Sequence, residues 1–211
     1  MLVDTEKDGG YTIEIHTDED AGNPRKEWDN AGTMLCMHSR YDLGDERNVT
    51  VEAIQEIIER EDVLYLPLYL YDHSGITMRT GPFSCPWDSG QVGIIYITKE
   101  RAIQEFGGKR FTETVKKQAL SCLESEVKVY DAFLTGSVYG YNVLDPAGES
   151  IDSCWGFYET NNEDMAYMLS QAKAAIQHDR EKRAKARAQR RADSAERRIR
   201  DTMAQGMVGA V

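Results

Sequence analysis

A long stretch that contains neither Gly nor Pro limits what this chain can fold into more than any other feature. Residues 162–203 are rich in Ala, Arg, Gln, Lys and Glu, which are strong helix formers. The stretch therefore predicts one long, uninterrupted helix. Its first turns carry larger apolar residues at helical spacing and should dock on the rest of the protein. These residues are Met165, Met168, Leu169, Ala172 and Ile176.

The second half of this helix has almost no large apolar side chains. Beyond His178 the apolar positions are Ala184, Ala188, Ala192, Ala195 and Ile199. They bury too little area for a good coiled-coil seam. Acidic residues precede basic ones by four positions in Asp179/Arg183, Glu181/Lys185, Asp193/Arg197 and Glu196/Arg200. Because each such pair stabilises an isolated helix by about 0.2–0.5 kcal/mol, we expect this half to stay helical without a core.

Charge is divided unequally along the chain. Residues 1–170 contain 14 Lys and Arg against 31 Asp and Glu, a net charge of −17, whereas residues 171–211 contain 11 against 5, a net charge of +6. We therefore predict an acidic domain over residues 1–162 and an Arg- and Ala-rich helical segment over residues 163–211 that partly extends from it.

The basic segment has two interpretations. Clustered arginines bind phosphate groups, so the helix could contact nucleic acid, another anionic partner or the acidic domain of a second copy in a homo-oligomer. The arginines with this role would be Arg183, Arg187, Arg190 and Arg191. The alternative is a solvated helix that binds nothing, as charged runs usually are.

The acidic domain has the pattern of an α+β fold. Strands are predicted at residues 11–16, 63–71, 91–98, 138–144 and 153–158, with an ambiguous apolar run at 34–38. The turn signal at residues 145–148 makes residues 137–158 a hairpin. Since strands and helices do not alternate regularly, we predict an antiparallel or mixed sheet with helices packed on one face, plus the long C-terminal helix.

Two shorter helices are predicted inside the acidic domain. The first has Asn48 or Thr50 as its N-cap and ends near Glu61. The second covers residues 112–135, with an apolar stripe along one face and Gly136 as its C′ residue. That stripe needs a sheet or another helix to cover it.

Residues 71–90 form a long polar and aromatic segment between two predicted strands, and such segments are usually functional or have their own packed structure. His73, Cys85 and Asp88 could form a nucleophile with its base, because a thiolate needs a neighbouring imidazole or positive charge. The alternative is a small buried cysteine, since it stands next to a proline and between two aromatic residues. Trp87 is either part of the core or a platform for a partner.

A carboxylate cluster is a second candidate site. Asp42, Asp45 and Glu46 could combine with Asp72 or Asp88 around a hard divalent cation. Their spacing matches no calcium loop, and acidic residues before a helix also interact favourably with its N-terminal dipole. We therefore predict neither a metal ion nor a cofactor, and we keep these carboxylates as binding residues.

The sequence also bears on the compartment. No apolar run approaches the roughly 20 residues that cross a bilayer, and the first thirty residues lack the pattern of a secretory signal. The cysteines are Cys36, Cys85, Cys122 and Cys154, without a C-x-x-C pair. We expect reduced thiols, a cytoplasmic location and no membrane contact.

Six short motifs between residues 11 and 160 carry a family resemblance. The most specific reads Pro-Phe-Ser-Cys-Pro-Trp-Asp-Ser-Gly-Gln-Val-Gly at residues 82–93, and the others lie at residues 27–34, 40–46, 71–75, 130–139 and 153–157. Together they resemble a broad family of uncharacterised proteins from bacteriophages, plasmids and conjugative elements. The resemblance implies no catalytic residue, and the basic helix after residue 163 lies outside it.

What the resemblance implies is a setting: an accessory protein of a mobile element in the cytoplasm of a bacterial host. Small acidic proteins of such elements often inhibit host defence, as anti-CRISPR or antirestriction proteins do, by occupying protein surfaces meant for DNA. The expected partner is then a host nuclease or defence effector, bound through the acidic surface. The alternatives are a metal- or cysteine-dependent enzyme of unknown reaction and a nucleic-acid-associated accessory protein that uses the C-terminal helix.

Overall fold

The computed structural model describes residues 1–46 and 49–208, with the backbone alone at residues 202 and 204–208. Eight strands and five helices follow one another in this part of the chain. In order they are β1 (Leu2–Asp8), β2 (Tyr11–Thr17), α1 (Pro24–Glu27), β3 (Thr33–Cys36), α2 (Val51–Ile58), β4 (Val63–Asp72), β5 (Ile76–Arg79), β6 (Ser89–Thr98), α3 (Lys99–Phe106), α4 (Glu113–Thr135), β7 (Val138–Leu144), β8 (Ser150–Tyr158) and α5 (Asn162–Val208).

The first sheet has the strand order β1-β2-β7-β8 and is antiparallel throughout. Its inner face is apolar, and the first half of α5 covers it. Met168, Ala172 and Ile176 of the helix are fully buried against this face. The strand residues in the same cluster are Tyr11, Ile13, Ile15, Tyr141 and Val143.

The second sheet has the strand order β3-β6-β4-β5 and is also antiparallel. The long helix α4 covers one face, where Leu123 and Val127 pack with Leu68, Ile95 and Ile97. The short helix α2 covers part of the opposite face through a separate cluster of Leu35, Ile54 and Ile94. Adjacent residues of β6 thus belong to different cores, as the period of two along a strand requires.

The α+β class, the antiparallel pairing and the long C-terminal helix are confirmed, and the strands are divided between two sheets. The N-cap of α2 is Thr50, whose side chain accepts a hydrogen bond from the backbone N–H of Ala53. The other candidate, Asn48, lies outside the described residues. Gly136 ends α4 in the left-handed conformation, with φ of 72°, as predicted.

Four elements have no counterpart among the predicted ones: β1, α1, β5 and α3. The predicted segment of residues 71–90 is shorter than expected as a loop, because β5 pairs with β4 inside it. Across the described ranges 1–46 and 49–208, none of the helices has the length and apolar character that a membrane span requires.

Candidate functional site

Three separate segments meet at one end of the second sheet. β3 and β4 both run antiparallel to β6, so the ends of β3 and β4 lie beside the start of β6. This arrangement brings together residues 38–46, which follow β3, residues 72–75, which follow β4, and residues 82–90, which lead into β6. All three segments contain residues that the sequence marked as candidates.

Asp72 connects the first two segments. Its Oδ2 atom lies 2.6 Å from Nη2 of Arg40, and its Oδ1 atom accepts a hydrogen bond of 3.3 Å from the hydroxyl of Tyr41. The Tyr41 ring also stacks on the imidazole of His38, with 4.9 Å between ring centroids. The backbone N–H of Asp72 donates to the carbonyl of Asp88 at 2.8 Å, which joins the third segment to the same point.

Asp88 lies between the two residues expected to form a nucleophile and its base. Its Oδ2 atom is 3.5 Å from Nδ1 of His73 and accepts a hydrogen bond of 3.6 Å from Sγ of Cys85. Within the described ranges no hydrogen bond joins the imidazole to the thiol. The carboxylate of Asp88 therefore ties the thiol and the imidazole to the same loop, and the nucleophilic role of these three side chains stays a prediction.

The loop that leads to β6 is held by further contacts. Arg79 lies over the ring of Phe83, with 3.9 Å from Cζ to the centroid, and its Nε donates to the carbonyl of Gly81 at 3.0 Å. Nη2 of the same guanidinium donates to the carbonyl of Pro82. At the other end, the hydroxyl of Ser89 donates to the carbonyl of Cys85 at 2.5 Å. The loop is thus supported on both sides of residues 86–88.

Trp87 stands at the tip of this supported loop. It is 91% exposed, more than any other large hydrophobic residue of the described chain. It borders a shallow cavity of about 350 Å³ together with His38, Arg40, Asp72 and Asp88. The aromatic ring is therefore a surface feature beside convergent polar groups and does not belong to the core.

The carboxylates at residues 42–46 have different environments. Asp42 and Glu46 line a neighbouring cavity of about 380 Å³, which shares His38 and Arg40 with the cavity beside Trp87. Asp45 is the exception, because it accepts two hydrogen bonds from Arg25, at 2.8 and 2.6 Å, and one from the backbone of Met34 at 2.7 Å.

Arg25 is a buried cation that explains the position of Asp45. Its guanidinium also contacts Glu126 of α4 at 2.7 Å and the carbonyl of Gly32 at 2.7 Å. Burial alone lowers the pKa of Arg25, but the two carboxylates outweigh it and raise the pKa above its usual value. Asp45 therefore has a structural role as a partner of the buried Arg25, and its expected role in binding stays a prediction.

Two of the cysteine thiols have a raised pKa, although they differ in burial. Cys36 is buried, and burial, followed by the Asp45 charge, raises its pKa to about 12. Cys122 is partly exposed, and its pKa is raised to about 11 by burial and by Glu126. Both side chains are therefore protonated thiols at neutral pH. In residues 1–46 and 49–208, no group of three His, Cys, Asp or Glu side chains is placed to hold a metal ion.

The arginines of α5 fall into two groups. Arg183 is 2.5 Å from the buried Asp145 and also contacts Asp179, so it fastens the helix to the body. Arg187, Arg190 and Arg191 are exposed and have no ion-pair partner among the residues described. The structure thus separates Arg183 from the other three arginines that were expected to bind together.

Arg40 and Tyr41 are the site residues that the sequence patterns missed. They stand in the motif at residues 40–46, but nothing in its spacing indicates that they meet Asp72 more than thirty positions later. Arg79 was missed for a related reason, because its partners are carbonyl groups of the following loop.

Comparison of the chain with protein-family models, with curated proteins and with solved structures finds no match.

Proposed function

We propose that this protein acts by binding a host protein, as a counter-defence accessory of a mobile element, and that Trp87 anchors the interface. The observation that carries the proposal is the 91% exposure of Trp87 on a loop held at both ends. An exposed tryptophan contributes little to the folding stability of a monomer. Tryptophan, tyrosine and arginine are the residues that contribute most binding energy at protein interfaces. Arg40 borders the same cavity as Trp87, and Tyr41 contacts Asp72 of that cavity.

The supported loop favours binding on energetic grounds. A flexible segment loses conformational entropy when it binds, and that loss subtracts from the affinity. Here the contacts of Arg79, Cys85 and Asp88 hold the loop before a partner arrives. His73, Cys85 and Asp88 thus act as positioning residues for Trp87.

The negative charge of the body favours a partner with a cationic surface. Residues 1–170 have a net charge of −17, and some of this charge is neutralised inside the molecule. On α2 and at its C-cap, Glu52, Glu56 and Glu59 are exposed and form no ion pair with any described Lys or Arg. Such a surface accelerates association with a cationic groove, of the kind a nuclease uses for DNA.

The test uses the full chain as bait in lysate from a bacterial host that expresses restriction and CRISPR systems. The wild-type protein should capture a nuclease or defence effector, and Trp87→Ala should weaken the purified complex by about 30-fold, as expected for an interface hot spot. Trp155→Ala is the matched control. Trp155 is 48% exposed and lies over Gly140 of the first sheet, so its loss should leave the affinity unchanged. Equal affinity of the wild type and Trp87→Ala would contradict the proposal.

A second set of variants separates binding from catalysis. His73→Ala, Cys85→Ala and Asp88→Ala should weaken the complex less than Trp87→Ala does, because they loosen the loop without removing its anchor. Loss of the host phenotype with an unchanged dissociation constant would indicate chemistry at these residues and would count against a purely binding role.

A further inference from the structure

The two sheets have four edge strands, β1, β8, β3 and β5, and the outer edges of the last two are covered. At β3, the backbone N–H of Met34 donates to the carboxylate of Asp45 at 2.7 Å, and its carbonyl accepts from the N–H of Asp45 at 2.9 Å. At β5, Asp131 of α4 accepts hydrogen bonds of 2.7 Å from the backbone of Met78 and the hydroxyl of Thr77. Proteins commonly cover such edges, because unpaired N–H and C=O groups are a template for another chain.

The edge strand β1 is protected by charge. Four of its seven residues are charged, and the backbone N–H of Thr5 donates to the side chain of Asp4 at 2.7 Å. At the end of the strand, the carbonyl of Asp8 accepts a hydrogen bond of 2.9 Å from Arg180 of α5. Charged side chains on an edge strand discourage its pairing with another chain.

The edge strand β8 has neither kind of protection. It is the longest of the four, with nine residues, of which only Asp152 is charged. Between Ser150 and Trp155, no group outside the sheet forms a hydrogen bond with its backbone in the part of the chain that the structure describes. The first such bond joins the N–H of Gly156 to the carboxylate of Asp18 at 3.0 Å. We call the outer side of residues 150–155 the open edge.

A groove lies along the open edge, on the side of the sheet that α5 covers. It has a volume of about 550 Å³, with Ile151 and Asp152 on its strand side and Ala174 and Ala175 on its helix side. The hydroxyl of Tyr141 holds Asp152 in place by donating to its Oδ2 atom at 2.8 Å. Because side chains alternate between the two faces of a strand, a strand added at the open edge would place every second side chain at this groove.

The chain around the open edge is acidic. Residues 144–172 contain six Asp and Glu but no Lys, Arg or His. Two of these acids, Glu149 and Glu163, are exposed and form no ion pair with any described Lys or Arg. Such a surface attracts a basic partner.

Two basic side chains also line the groove. His178 and Lys182 are exposed and come about one and two turns after Ala175 along α5. Asp179 lines the groove beside them and already contacts Arg183. The six acids of residues 144–172 outnumber the two basic side chains, so the edge and the groove together keep a negative charge.

This charge disfavours a second copy of the chain as the occupant. Two-fold antiparallel pairing of two β8 strands about Ser153 would place the two Asp152 side chains on one face as diagonal neighbours, about 7–8 Å apart. It would also bring the two acidic stretches together, and each chain has a net charge of −11. The complementary occupant is an extended segment of another protein that is rich in Lys or Arg.

We propose that the open edge of β8 binds an extended, basic segment of another protein as a fifth strand of the first sheet. Backbone hydrogen bonds supply the affinity, and alternate side chains that reach the groove supply the specificity. There the alkyl stem of a Lys or Arg packs on Ala174 and Ala175 and directs its charged end to Asp152. The contact uses no residue of the Trp87 loop, so it goes beyond the function proposed above and does not rest on it.

The test measures binding of the full chain to a fluorescent, acetylated peptide of about eight residues that alternates lysine with valine, a strong strand former. Fluorescence anisotropy gives the dissociation constant. The same peptide with glutamate in place of lysine should bind at least about 10-fold more weakly. Asp152→Asn keeps an acceptor for Tyr141 but removes the charge, and it should weaken binding by about 3-fold. Glu56→Gln removes the same charge from the exposed face of α2 and should leave the affinity unchanged.

Methylation of the peptide backbone shows whether the peptide adds as a strand. Alternate residues of a strand direct their N–H groups to opposite sides, and only one side can pair with β8. Methylation of one alternate set of nitrogens should therefore lower the affinity by about 10-fold or more, and methylation of the other set should leave it unchanged. Ala174→Phe fills the groove and should weaken binding, whereas Ala184→Phe, ten residues further along α5, should not.

The outcomes separate this proposal from its alternatives. Absence of binding to the basic peptide would overturn the proposal, and equal affinity of the two methylated peptides would overturn strand addition. A wild-type dimer that light scattering detects and the basic peptide dissociates would assign the open edge to a second copy and overturn the proposal as well. Trp87→Ala should bind the peptide as the wild type does, so failure of either interface leaves the other one standing.

Discussion

The two halves of α5 belong to one uninterrupted helix but are stabilised in different ways. Residues 162–183 bury Met168 and Ile176 in a core, and three of their cations, Lys173, Arg180 and Arg183, pair with carboxylates of the body. In residues 184–208 every side chain whose burial the structure describes is exposed, so this half relies on helix propensity and on contacts within the helix. The difference teaches that the positive charge of a segment indicates a binding surface only after the charges used for folding have been subtracted.

The largest expected effect comes from removing each half in turn. Deletion of residues 162–211 exposes the inner face of the first sheet, because α5 alone covers it among the described elements, and should abolish cooperative unfolding of this sheet. Deletion of residues 186–211 removes no side chain that the structure describes as buried and should leave the thermal midpoint unchanged. Differential scanning calorimetry checks both. A large shift in the second variant would contradict the division at residue 183.

A pair of isoleucines makes the same comparison with single substitutions. Ile176 is completely buried, and Ile176→Ala should lower the free energy of unfolding by about 2–5 kcal/mol. Ile199 is 59% exposed, and Ile199→Ala should change it by less than about 0.5 kcal/mol. Urea unfolding followed by circular dichroism measures both values. Similar losses in the two variants would show that the helix around Ile199 packs against another part of the protein.

Two arginines give a smaller contrast. Arg183→Ala removes contacts with Asp145 and Asp179 and should lower the midpoint of urea unfolding, though less than Ile176→Ala does. Arg187→Ala lies one turn further and should leave the midpoint unchanged, because the guanidinium has no described ion-pair partner. The double variant Arg183→Ala/Asp145→Asn should lose less stability than the sum of the two single variants, because each single change already removes the same ion pair.

Acid should selectively weaken the packing of residues 162–183 of α5 on the body. Hydrogen bonds from the backbone of Glu149, followed by Arg183, hold the pKa of Asp145 below its usual value. The hydroxyl of Tyr11, followed by Arg183, does the same for the pKa of Asp179. Because the folded-state pKa is depressed, this stabilisation is complete above the unfolded-state value of about 4 and is lost as the pH falls through the folded-state value.

Urea midpoints at about pH 6 and about pH 3 would measure this dependence. The midpoint should fall with pH less steeply in Arg183→Ala than in the wild type, because the variant lacks part of the cause of both depressed pKa values. Equal pH dependence in the two proteins would show that the carboxylates act independently of the helix.

Much of the fold follows from patterns of period two and 3.6, and the exceptions have identifiable causes. β1 shows no apolar alternation because its inward positions, among them Glu6 and Asp8, carry acids that bind Lys173 and Arg180. β5 has only four residues and lies inside a segment rich in turn signals. The division into two sheets depends on pairing between distant strands, such as β2 with β7, which local patterns do not contain.

The candidate site was predictable in its residues but not in its connections. His73, Cys85 and Asp88 do come together, yet the order of contacts places the carboxylate between thiol and imidazole. Asp45 could not be distinguished from Asp42 by sequence, because its role depends on the burial of Arg25 from another segment. Exposure of Trp87 was one of two interpretations, and only the three-dimensional path of the loop decides between them.

The second half of α5, residues 184–208, also has a consequence for how the molecule moves through solution. The 183 residues before it would form a globule with a radius of gyration of about 16 Å, whereas the helix beyond it is about 37 Å long. Such an arm adds friction out of proportion to its mass. The 23.9 kDa monomer should therefore elute from a gel-filtration column ahead of compact standards of equal mass and sediment more slowly than they do. Light scattering, which reports mass without reference to shape, should distinguish this elongated monomer from a dimer.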